Sequence, residues 1–148
     1  RLAAGRHEVA LDIPGAQAHR GDRELDGALK TAESVGGMLS ELGLGADAVE
    51  DAALEHGALG DRRVAVLAHN PRLPGEAVEA LEQFVSGGGK LLVCFSLPAR
   101  LGRLLGFEKM KYVPRNRPGQ FAEIRFEAGD IPGLPKAVRQ ASWNISRS

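Results

Sequence analysis

The stretch RRVAVLAHNPRLPGEAVEALEQFVSGGGKLLVCFSLPARLGRLLG, residues 62–106, constrains the fold more than any other part of the chain. Val64–Ala68 and Leu91–Phe95 are apolar runs too short for helices and bounded by charge or glycine, the pattern of strands buried on both faces of a parallel sheet. Between them Ala77, Val78, Leu81, Phe84 and Val85 share one helical face. Gly87, Gly88 and Gly89 end that helix, because glycine enters left-handed backbone without a Cβ penalty. The segment thus predicts strand, helix, strand and the start of a further helix.

The same reading extends outward. Glu8–Ile13 predicts a first strand, and 15–26 a polar exposed loop. Leu29, Ala32, Val35, Met38, Leu39 and Leu42 recur at helical spacing, predicting a helix from Gly27 to Leu42, capped by Asp26 and closed by Gly43. Gly36 and Gly37 inside it each cost roughly 1 kcal/mol against alanine, which points to close packing on the sheet. Gly45–Val49 predicts a weak second strand and Ala52–Leu59 a short helical or turn segment. Ser96 caps a last helix with Pro98 in its first turn and Leu101, Leu104 and Leu105 as its buried stripe. Phe107–Val113 and Gln120–Phe126 are strand-like and separated by Pro114 and Pro118, so a hairpin or edge ribbon is expected, with Trp143 packed under a returning segment.

Alternating strands and helices joined by right-handed crossovers imply an α/β, flavodoxin-like three-layer sandwich with a mostly parallel sheet and a β-rich C-terminal extension. At 148 residues the chain is expected to be one domain, with residues 1–106 as the α/β core and 107–148 as a ribbon and loop extension. Basic and acidic residues balance at 19 each, which argues against a nucleic-acid surface. Lys109, Lys111, Arg115 and Arg117 form a local basic cluster, read as protection of an edge strand in preference to an anion site. No apolar stretch reaches the roughly 18 residues of a membrane span. A single cysteine excludes an internal disulfide and a cysteine-rich zinc site, and fits a reducing cytoplasm. The chain begins without methionine, so a trimmed N-terminus is expected.

In sheets of this kind ligands sit beyond the carboxyl ends of the strands. Those ends carry Asp12 and the His19 loop, His69 and Asn70, and Cys94, Phe95 and Ser96. His69 is a candidate base, with Asn70 and His19 as candidate contacts to a small polar ligand. Asn70-Pro71 also reads as a turn, and that reading is preferred. His19, Asp22, Glu24 and His69 show no recognised metal-ligand spacing, so no metal is expected. The glycine run 87–89 precedes a strand, unlike a phosphate loop, and no cofactor is expected.

The helix end FVSGGGKLLV preceded by VAVLAHNPRLP resembles the class I glutamine amidotransferase-like superfamily, over about Glu8 to Gly106. Within it the chain is most similar to noncatalytic trimerisation-type modules of β-galactosidases and of bacterial glycoside-hydrolase-like proteins, which the tail GLPKAVRQASWNI also resembles. The resemblance implies further sheet elements beyond Ser148, hence a truncated chain with an exposed edge. It implies a module for self-association, as a homo-oligomer, or for contact with an adjoining carbohydrate-active domain. Active members of the superfamily carry their cysteine in a glycine-flanked elbow with a downstream histidine. Cys94 lies between Val93 and Phe95, and no histidine follows it, so glutaminase activity is not implied. The alternative is a small esterase-like hydrolase in which Cys94 or Ser96 acts with His69. Against it stand Cys94 as a small buried hydrophobe and Ser96 as a helix cap, both preferred.

Overall fold

The computed structural model describes residues 8–15, 22–95, 97–126, 133–141 and 144–147, the last four by backbone alone. The chain divides into two compact units between Leu104 and Leu105. The first contains β1 (Val9–Ile13), α1 (Arg23–Glu41), β2 (Ala46–Glu50), α2 (Asp51–Leu54), β3 (Val64–Leu67), α3 (Gly75–Ser86), β4 (Lys90–Val93) and α4 (Ala99–Leu104). All four strands are parallel and lie in the order β2-β1-β3-β4. The step from β1 to β2 runs one way across the sheet and the step from β3 to β4 runs the other way. Crossovers of one hand then put α1 and α3 on opposite faces.

Side-chain alternation along the inner strands matches that division. Val9, Leu11, Val66 and Ala68 pack with Ala32, Val35 and Leu39 of α1. Ala10, Ala65 and Leu67 point to the other face, against Leu54, Ala77, Val78, Leu81 and Leu101. The close approach expected at the glycine pair belongs to Gly36, where a Cβ would lie 3.2 Å from Leu11 Cδ2, whereas Gly37 faces open space. After α3, Gly88 adopts φ +97°, and a Cβ at Gly89 would strike the Phe84 ring.

Four expectations need correction. α1 begins four residues before Gly27, because Asp22 and not Asp26 caps it: Asp22 Oδ1 accepts the Glu24 N–H at 3.0 Å. Its buried face is consequently built on Leu25, Ala28 and Ala32, while Met38 sits off that face and Leu42 lies past the last helical residue, both exposed. β4 is not buried on both faces. It is the edge strand, and Leu92 is 53% exposed. In α4, Leu101 is fully buried but Leu104 is partly exposed, and Leu105 falls in the second unit, also partly exposed.

The second unit holds β5 (Lys111–Pro114), β6 (Glu123–Arg125), β7 (Ala137–Arg139) and β8 (Asn144–Arg147). β5 and β6 do not form the expected hairpin with each other. β5 pairs antiparallel with β8 and β6 with β7. Prolines and a turn in which Phe121 takes φ +64° separate β5 from β6, and each finds a later partner. Lys109, Lys111, Arg115 and Arg117 are exposed, and Trp143 lies outside the described residues. Among the described residues no helix is long and apolar enough to cross a membrane.

Candidate functional site

The inner strands β1 and β3 end in a polar pair. Asp12 lies opposite Leu67 of β3 and Val49 of β2, in the middle of the sheet, and is only 5% exposed. Its neighbours on β1 are apolar because both faces of a central strand are covered. A carboxylate at such a position must find partners or lose its charge. Asp12 Oδ2 accepts one hydrogen bond, from Asn70 Nδ2 at 3.3 Å, while Oδ1 is buried and has no partner among the described residues. Leaving such an acceptor unsatisfied costs about 1–3 kcal/mol.

Burial pushes the Asp12 carboxyl up from 3.8 to about 7, against the pull of the Asn70 amide and with help from the negative charge of Asp51. Asp51 follows β2 directly and its Oδ1 accepts the Ala52 N–H at 2.8 Å. Gly15, just beyond β1, keeps space beside that carboxylate, since a Cβ there would sit 3.0 Å from Asp51 Oδ1.

Asn70, 1% exposed, is held at both ends of its amide. Its Oδ1 accepts the Arg72 backbone N–H at 3.2 Å, closing an Asx turn, and this leaves Nδ2 to reach Asp12. Arg72 then pairs with Asp22 at 2.8 Å and Glu24 at 3.4 Å, tying the loop after β3 to the start of α1. The Glu24 backbone N–H, with Arg72, holds the Asp22 carboxyl below its ordinary value. Asp22 and Glu24 therefore serve a cap and an ion pair.

The end of β4 is different in kind. Cys94 continues the ladder through its N–H to the Leu67 carbonyl at 3.0 Å, but as part of an edge it is exposed, which corrects the expectation of a buried cysteine. Loss of water around the thiol, the only cause acting on it, raises its pKa. His69 is half-buried, and its ring meets Phe95 edge-on with centroids 5.8 Å apart. Ser96 and His19 lie outside the described residues.

The structure thus joins Asn70 to Asp12 and brings His69 against the neighbour of Cys94. The sequence pattern marks Asp12 only by its place at a strand end and does not mark Asp51. The available signal was an acidic residue inside the apolar run Val9-Ala10-Leu11-Asp12-Ile13. No family model, curated protein or solved structure matches the chain.

Proposed function

We propose that the chain is a noncatalytic, flavodoxin-like module of the class I glutamine amidotransferase-like superfamily that associates through the open edge of its sheet, with a second copy or with an adjoining carbohydrate-active domain. The state of β4 carries this reading. Among the described residues the strand ends the sheet, the position through which strands add to one another, and Leu92 within it and Phe95 just beyond it are 53% and 69% exposed. The cysteine at its end is poorly suited to catalysis. Its pKa is raised where a nucleophile needs it lowered. Its φ is also ordinary: among the described residues the only non-glycine with positive φ is Phe121, so Cys94 does not occupy the strained turn of a nucleophile elbow.

Sedimentation across micromolar concentrations tests the association, comparing the parent chain with a variant carrying Leu92→Lys and Phe95→Lys. The expected result is an oligomer that the paired substitution dissociates. A parent that stays monomeric at every concentration, alone and with a candidate partner domain, overturns the reading. The hydrolase alternative draws on one observation, the ring contact that brings His69 against Phe95. Hydrolysis of an activated ester by the parent, lost in Cys94→Ala or Ser96→Ala and in His69→Ala, would replace the module reading with that one.

A further inference from the structure

β2 ends the sheet on the side opposite β4: among the described residues no strand lies beyond it. A groove of about 490 Å³ lies beside it, bounded by Ala48, Val49 and Glu50 and by Ala52, Ala53 and His56. That is the size of a ligand cleft and far larger than a packing defect. The two faces of the strand differ. Val49 is buried in the core cluster that Ala53 and Ala58 pack against, so the groove is small and apolar on that side. Ala48 and Glu50 alternate with it toward the other face, and both are exposed. The surroundings are acidic. From Gly43 to Asp61 the chain has five acidic residues and no lysine or arginine, although its formal net charge is zero. Asp47 is taken by Arg62 at 2.9 Å, whereas Glu50 and Glu55 form no ion pair with another described residue.

We propose that the outer side of β2 takes up a short extended segment of a partner protein, in which basic and small apolar residues alternate, as a further strand of the sheet. The alternation of side chains along a strand sets that chemistry. Residues of the added strand on the Val49 face meet Ala53 and are best small and apolar. Residues on the Ala48 and Glu50 face meet a carboxylate and are best basic. Edge strands that stay free commonly carry lysine, proline or a bulge, but β2 has neither residue and keeps an unbroken five-residue register with β1. Its charge also selects the occupant. A second copy docking through β2 would set one acidic segment against another, which is unfavourable, while a basic segment complements it. β2 and β4 are opposite edges, so the outcome here says nothing about association through β4.

Fluorescence anisotropy of a labelled peptide alternating lysine and valine, titrated with the full chain, tests the proposal. The expected result is saturable binding that weakens as salt rises, with the glutamate-for-lysine peptide left unbound. Glu50→Lys, which reverses the charge, and Ala52→Trp, which fills the groove, should each weaken binding by at least about tenfold. Of two further peptides, N-methylated on the valines or on the lysines, at least one should lose binding, because alternate amides of a strand face its neighbour. Circular dichroism verifies that each variant is folded. Glu33→Lys, on the exposed surface of α1, should bind as the parent does. Failure of the parent to bind at the highest chain concentration overturns the site. So does undiminished binding by Ala52→Trp or by both methylated peptides, or an equal loss in Glu33→Lys, which would show only general attraction between charges. Sedimentation in which the parent self-associates and Ala52→Trp does not would make the occupant a second copy, and that also overturns the proposal.

Discussion

At the end of β1, Asp12 is buried and, among the described residues, one of its oxygens has no partner, while just past β4, Cys94 is exposed and partial loss of water raises its thiol pKa. Both residues end strands of one sheet, and position in that sheet accounts for the difference. β1 has a hydrogen-bonded neighbour on each side and helices over both faces, so water is excluded and a charge there is costly. Among the described residues β4 has one neighbour, and its Leu92 is exposed. The reactive atom type therefore stands where the environment makes it less reactive, and the ordinary carboxylate stands where the environment shifts it most. Residue type alone points to the cysteine; environment points to the aspartate.

The largest expected effect tests the inner end. The folded value for Asp12, about 7, lies above the ordinary 3.8, so between those values the folded chain holds a proton that the unfolded chain has released. Stability from this group is complete below about pH 4 and is lost as pH rises through about 7, by roughly 4 kcal/mol in total. Asp12→Asn should remove this loss. It should raise the urea midpoint at pH 8, change it little near pH 4, and flatten the difference between them. A variant that tracks the parent at both pH values would mean that Asp12 is well solvated and that the contrast with β4 is not one of burial.

The next effect compares hydrophobic neighbours of the two ends. Leu67, at the end of β3, is 1% exposed, and Leu92, opposite Val66 on β4, is 53% exposed. Leu67→Ala should cost about 3 kcal/mol, through lost transfer energy and an unfilled cavity. Leu92→Ala should cost under about 0.5 kcal/mol in the monomer. Both are read from denaturant midpoints at low concentration. If Leu92→Ala costs more as concentration rises, the covering of β4 by a second copy is being measured directly, which sharpens the comparison and supports the proposed association.

These contrasts mark the boundary of what local pattern could show. The inner strands and α3 were legible because their apolar spacing is a property of consecutive residues. The start of α1 lies four residues before the one the apolar spacing predicts, since Asp22 and Asp26 are both competent caps and Leu25 carries helical meaning only once Ala28 and Ala32 share its face. Leu91–Phe95 reads as an interior strand, but whether a strand is interior depends on what pairs beyond it, and its own residues do not record that. The pairing of β5 with β8 and of β6 with β7 was hidden for the same reason. So was the hydrogen bond between Asp12 and Asn70, which joins residues 58 positions apart. A local warning did exist there, because an aspartate inside a central strand has to be explained by its surroundings.

The smallest expected effect concerns Cys94 and bears most directly on the choice between module and hydrolase. Its thiol is accessible, so alkylation by iodoacetamide should proceed in the folded chain. The reactive form is the thiolate, and partial loss of water raises the pKa, so at neutral pH the rate should fall below that of a free cysteine and climb only at more alkaline pH. Cys94→Ser should change stability by no more than about 0.5 kcal/mol, as at other exposed positions. Fast alkylation at pH 6, with a rate that drops in His69→Ala, would show an ion-paired thiolate beside the imidazole. That result would move the chemistry from the inner strands to the edge and leave Asp12 as a structural group.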